Sequence, residues 1–113
     1  MIRREYAMTF VSSAALLDAV VLAVVSQQAE GSYGYRITQQ IKEVLDVSES
    51  SLYPVLRRLQ KDQCLTVHDK TANGRNRRYY RITELGLVRL QGYQDEWRAY
   101  TKKIDTLFWG ETP

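Results

Sequence analysis

The chain has 113 residues, which gives room for one domain with a modest core. An apolar content of 44% excludes a disordered chain, and a formal net charge of +3 permits an anionic partner without demanding one. A single cysteine, Cys64, excludes an internal disulfide and fits a reducing, cytoplasmic setting.

Residues 1 to about 10 read as an arm or a short helical lead-in. Arg3 and Arg4 followed by apolar residues are similar to a signal peptide. Glu5 and Asp18 interrupt that pattern, and no A-x-A site closes it. Asp18 also breaks any span long enough for a bilayer, so no membrane partner is expected. Ser12 or Ser13 can cap a first helix running to about Gln28. That helix is apolar nearly all round, from Ala15 through Leu17, Val20 and Leu22 to Val25. A helix apolar on several faces is buried on several faces. Either a partner chain covers part of it or it is internal to its own core.

Ala29 to Ser32 reads as a turn, and Tyr33 to about Leu45 as a second helix with Ile37, Ile41 and Val44 on one face. Asp46-Val47-Ser48 connects it to a third helix capped by Ser48 or Ser50. Pro54 favours a start near Ser50 or Ser51, because a proline deep in a helix removes a hydrogen bond. In this helix Leu52, Leu56 and Leu59 form one stripe. Ser51, Tyr53, Arg57, Arg58 and Lys61 fall largely outside it. A short helix with a small, basic, aromatic-bearing face suits a DNA major groove, although an ordinary solvated cationic face has the same composition. Helix, tight connection, helix is a helix-turn-helix pattern.

Cys64 to Asp69 alternates as a strand, and Arg78 to Ile82 as a second. Between them lies a polar basic loop, Lys70 to Arg77, with Asn73-Gly74 as its turn. A hairpin directly after the third helix is a wing. Lys70, Arg75, Arg77 and Arg78 gather at its tip without an acid among them. Such a loop is often only solvated; beside a recognition helix, it suits phosphate or minor-groove contact. Thr83 then caps one long helix to about Phe108, with Glu84 well placed in its first turn. Gly86, Leu90, Tyr93, Trp97, Tyr100, Ile104 and Leu107 alternate at spacings of four and three, a heptad-like seam that calls for a partner. The expected fold is mainly α with a small β-hairpin: a winged helix-turn-helix over 1–83, with the arm at 1–10, and a dimerisation helix over 84–113.

An enzyme is not expected. His68 is the only histidine and lies on a strand just after Cys64, with no third group to orient the pair. There is no catalytic set, metal-ligand cluster, glycine-rich phosphate loop or cofactor signature. Cys64 reads as a small core residue and His68 as a surface one.

Four blocks make the chain resemble the PadR family of transcriptional regulators. They are L-D-A-V-V-L-A-V-V (17–25), Y-G-Y-R-I (33–37), S-L-Y-P-V-L-R-R-L (51–59) and G-R-N-R-R-Y-Y-R-I-T-E-L-G (74–86). They cover nearly the whole chain in the family's order, and the single helix after the wing resembles the short subfamily. Where the family has glycine after the recognition helix, this chain has Gln63, which leaves the helix end open. The resemblance implies a cytoplasmic homodimeric repressor whose C-terminal helix packs on the partner's first helix. Its two winged units would bind a pseudo-palindromic duplex operator.

The DNA-contacting set on this reading is Tyr33, Ser50, Ser51, Tyr53, Pro54, Arg57, Arg58, Lys61, Lys70, Arg75, Arg77 and Arg78. Family members commonly release DNA on binding small aromatic or planar compounds. Trp97 stands where the multidrug-binding member has a tryptophan that stacks on planar drugs at the dimer interface. Tyr93, Trp97 and Tyr100 are therefore the candidate effector residues, and they equally suit plain interface filling. A winged-helix module that meets an acidic protein instead of DNA is the competing reading.

Overall fold

The computed structural model describes residues 13–110. The expected arm at 1–10 lies outside them, as does the position before the first helix, where its cap would sit. In chain order the elements are α1 (Ser13–Ser26), β1 (Ser32–Tyr33), α2 (Gly34–Lys42), α3 (Glu49–Lys61), β2 (Leu65–Ala72), β3 (Arg75–Ile82) and α4 (Glu84–Trp109).

The three short helices enclose one apolar core. Val21, Leu22 and Val25 of α1 meet Ile37 and Ile41 of α2 and the expected stripe Leu52, Leu56 and Leu59 of α3, all buried. Cys64, Leu65 and Tyr80 close the core from the wing side. Each fully buried leucine or valine contributes about 1.5–3 kcal/mol, so this cluster supplies most of the drive to fold. Val44 does not join it. α2 ends at Lys42, and Val44 is 81% exposed beyond it.

The sheet differs from the expected hairpin in two ways. First, it has three strands in the order β1-β3-β2. Tyr33 is a strand residue, not the first residue of a helix, because Ser32 and Tyr33 pair with Tyr80 and Tyr79. Gly31 makes this possible at φ +95°, and a Cβ there would come within 2.9 Å of the Tyr80 carbonyl oxygen. Second, the basic stretch is ladder rather than loop. β2 and β3 pair from Leu65↔Ile82 out to Ala72↔Arg75, leaving only Asn73 and Gly74 as the turn. Both have positive φ, 55° and 75°, as a two-residue turn matched to strand twist requires.

α3 begins at Glu49, slightly earlier than Pro54 suggested. Ser48 is its cap, with Oγ accepting the Ser51 N–H at 3.2 Å. Pro54 therefore lies inside the helix, on its exposed side, where water can satisfy the carbonyl left without a donor. At the other end Gln63 takes the left-handed conformation itself, at φ 66°. Its N–H reaches the Gln60 carbonyl and the Cys64 N–H reaches that of Leu59, both at 2.9 Å. This is a complete Schellman closure without the usual glycine.

α4 is capped by Thr83, whose Oγ1 accepts the Gly86 N–H at 2.9 Å. Its 26 residues extend about 39 Å at 1.5 Å each. Only the first turns enter the core, where Gly86 and Leu90 are buried. Further along, Trp97, Leu107, Phe108 and Trp109 are exposed in the single chain. Among the described residues no helix is long and apolar enough to cross a membrane.

Candidate nucleic-acid interface

The solvent side of α3 carries Ser50, Pro54, Arg57 and Lys61, spaced four, three and four residues apart, opposite the buried leucines. Ser51 lies at one flank of this stripe. The hydroxyls of Ser50 and Ser51 each sit 3.0 Å from that of Ser48 at the helix N-terminus. Glu49 ties this end to α2: it accepts from Gln39 Nε2 at 2.9 Å and lies 3.8 Å from Lys42 Nζ.

Arg58 is placed differently from the rest of the expected set. Its guanidinium donates to Asp18 of α1. Asp18 is buried, and burial pushes its carboxyl above the ordinary aspartate value while Arg58 pulls the other way. Arg58 is thus tied to α1 through a side chain that stays part-exposed, at the edge of the exposed stripe rather than at its centre.

On the other flank of α3 stands Tyr53, half-buried against Gly34. A Cβ at position 34 would come within 3.1 Å of the Tyr53 ring, so the glycine of Y-G-Y makes room for the tyrosine of L-Y-P. Beyond Tyr53 lies the wing. Its register puts Arg75, Arg77, Tyr79 and Arg81 of β3 on one face, with Thr66, His68 and Lys70 of β2 beside them. Lys70 and Arg77 are direct cross-strand partners, a like-charge pairing that costs stability. Tyrosine rings offset it. The Arg77 guanidinium lies 4.2 Å from the Tyr33 ring centre, and Lys70 Nζ 5.1 Å from that of Tyr79, which also stacks on His68. Arg78 belongs to the opposite face, across from Asp69.

Between α3 and the wing runs an open groove of about 670 Å³, lined by Tyr33, Tyr35, Tyr53, Arg75, Arg77 and Arg78. It exists because β1 covers only the inner end of β3, leaving the edge at 75–78 open. Phenolic hydroxyls and guanidinium groups are donors for phosphate oxygens. Tyr35, 57% exposed at this groove, was not among the expected residues, nor was Asn76. The paired tyrosines of Y-G-Y were the only sign, and they read equally well as helix residues.

A second groove, about 750 Å³ and mainly apolar, separates α1 from α4. Leu16, Ala19, Val20 and Ala23 form one wall, and Leu90, Tyr93 and Trp97 the other. The Trp97 and Tyr100 rings are 6.4 Å apart, but Tyr100 stands outside the groove. Burial raises the Tyr93 hydroxyl pKa, and the Asp18 charge adds to the shift.

A helix-turn-helix with a three-stranded wing and a long following helix defines the winged helix-turn-helix class. Within that class, a family model described as "Transcriptional regulator PadR-like family" matches residues 21–92, and the chain belongs to that family. A solved structure from Streptococcus mutans UA159 is 38% identical, with TM-score 0.81 over 89% of this chain and 93% of that one. A PadR-like transcriptional regulator from Bacillus cereus ATCC 14579 is 31% identical, with TM-score 0.76 over 85% and 94%. An uncharacterised protein of Lysinibacillus sphaericus is 34% identical over 97 residues, 81% of this chain and 86% of the relative.

Proposed function

We propose that this PadR-family regulator is a cytoplasmic, homodimeric repressor that binds a pseudo-palindromic DNA operator through α3 and the wing. The observation that carries this reading is the groove between α3 and the wing, lined by Tyr33, Tyr35, Tyr53, Arg75, Arg77 and Arg78, on a helix whose exposed side carries Ser50, Pro54, Arg57 and Lys61. α3 enters the major groove, where Ser51, Tyr53 and Arg57 meet base edges or the adjoining backbone. The phosphate strand passes through the groove, with Tyr33, Tyr35 and Arg78 alongside. The wing reaches backbone or minor groove. The N-terminal end of α3 adds its own attraction for phosphate.

The dimer forms through α1 and α4. Leu107, Phe108 and Trp109 are 68–78% exposed on a helix that protrudes from its own core, and a second copy covers them. The two recognition helices then sit about 34 Å apart, or a multiple of it. A flat apolar effector, neutral or cationic, stacks between Trp97 and its symmetry mate. By changing the angle between the subunits, it lowers DNA affinity.

The test is a binding titration with duplex DNA from upstream of the protein's own gene, against a shuffled duplex. Expected is a preference of about 10³ or more and a steep salt dependence. Equal affinity for both duplexes would refute specific recognition. Sedimentation should give twice the 13.1 kDa chain mass, and truncation at Gln91 should abolish dimer and DNA binding together. A soluble, DNA-binding monomer from that truncation would refute the dimer.

A further inference from the structure

Both ends of the candidate recognition helix are tied, but to different parts of the molecule. Among the described residues the polar side-chain contacts of the N-terminal end run to α2, through Glu49. The C-terminal end reaches α1 and α4, each through a charge pair. Arg58 in its last turn is held by Asp18 of α1, and its cap Asp62 accepts from Arg89 Nη1 of α4 at 3.2 Å. The pairs are reciprocal in sign: α1 supplies an acid and α4 a base. Thr83 reinforces the junction, its N–H reaching the Cys64 carbonyl at 3.0 Å and its Oγ1 reaching that of Gln63 at 2.7 Å.

Asp18 is the least expected member. It interrupts an otherwise apolar helix and is 8% exposed. Burying the Asp18 carboxylate against a part-exposed arginine carries a desolvation cost, and an apolar side chain at such a place is often as stable or more so. Stability alone therefore gives no reason for an acid here, whereas a charge pair specifies one relative placement of two helices.

We propose that Asp18 and Arg89 are positioning residues for DNA recognition: they pin the last turn of α3 to α1 and α4 and so set the half-site spacing the dimer accepts. The inference rests on the proposed dimer through those two helices. Ser50 lies eight residues before Arg58, about 12 Å along the axis. A 5° tilt about the pinned turn moves Ser50 by roughly 1 Å, enough to lose a hydrogen bond of ordinary length. The same pins deliver any change in the α1–α4 frame to the DNA-reading half of α3.

The experiment compares the operator with the same duplex carrying one extra base pair at its dyad. The insertion rotates one half-site by about 35° relative to the other. Wild-type protein is expected to bind the inserted duplex at least about tenfold more weakly. In Asp18→Asn/Arg89→Gln that ratio should fall to about threefold or less, with weaker binding to the native spacing. A fraction of unfolded protein shifts both affinities equally and leaves the ratio unchanged, so the readout separates positioning from folding. Arg89→Gln alone, in a half-exposed pair, should show part of the effect and provides a variant that folds. Exchanging the charges, Asp62→Arg with Arg89→Asp, should restore the wild-type ratio. A double variant that keeps the full wild-type ratio overturns the proposal. A wild type indifferent to the insertion also overturns it and counts against the dimer reading; single half-site binding, measured alongside, shows separately whether DNA recognition itself holds.

Discussion

Arg77 offers the sharpest test of the wing. Its guanidinium is stacked over Tyr33 at the rim of the groove, across from Lys70. No acid shares its face of the sheet among the residues paired there. A homodimer carries two copies, and each phosphate contact contributes about 0.9 to the slope of log affinity against log salt. Arg77→Ala should therefore flatten the slope by about 1.8. Between about 50 and 200 mM salt, two such contacts account for roughly a tenfold loss of affinity. The deficit of the variant should shrink by that factor across the range. It should also be the same on specific and shuffled duplexes. Arg57→Ala should instead cost about 1–3 kcal/mol on the operator and relax preference at one position. Lys103→Ala, far along α4, serves as a control and should change neither quantity. Fluorescence anisotropy over a salt series measures all three. An unchanged slope in Arg77→Ala, with binding retained, would refute a phosphate role for this side chain.

The other expectations concern the scaffold and the effector. A Cβ on Gly86 would lie 2.3 Å from the Cys64 carbonyl oxygen and 2.7 Å from Ile82 Cγ1, whereas one on Gly92 meets nothing within 4 Å. Gly86→Ala should lose about 1–2 kcal/mol net and Gly92→Ala gain about 1, read by urea unfolding at fixed protein concentration; equal effects would be contrary evidence. Gln63→Gly should stabilise by about 0.5–1 kcal/mol by relieving the left-handed backbone, and a loss would contradict that reading. Burial raises the Asp18 pKa from 3.8 despite Arg58, so the folded chain takes up a proton more readily than the unfolded one. The Asp18 charge therefore costs stability at neutral pH, and the cost disappears as pH falls through the window from the raised folded-state pKa towards 3.8. Unfolding free energies of wild type and Asp18→Asn should accordingly shift in favour of wild type on acidification into that window, and a shift towards the variant would reverse the sign argued here. Planar dyes and phenolic acids should quench tryptophan fluorescence in wild type and Trp109→Leu but not in Trp97→Leu; the opposite pattern would place the effector elsewhere.

Local signals in the chain were enough for much of the architecture. The stripe Leu52, Leu56 and Leu59 is buried as its spacing requires, Thr83 caps α4, and Asn73-Gly74 turns the wing. Each depends on residues within a few positions of one another, and the sequence displays such neighbours directly. The four PadR-like blocks were legible for the same reason. The features that position the candidate site depend on distant partners. Tyr33 is a strand residue because Tyr79, 46 positions away, is available to pair with it, while its own neighbours suit a helix. Gln63 accepts the left-handed conformation because Cys64 must return its N–H to Leu59 and enter β2, and that closure outweighs the absence of glycine. Arg58 resembles its neighbour Arg57 in every local respect, yet Asp18, 40 positions earlier, holds it. Periodicity tells which face of a helix is buried, but not which charge waits across the gap. That pairing is decided only when α1 and α3 pack, and with it which of the two arginines is tied to α1 and which stays on the exposed stripe.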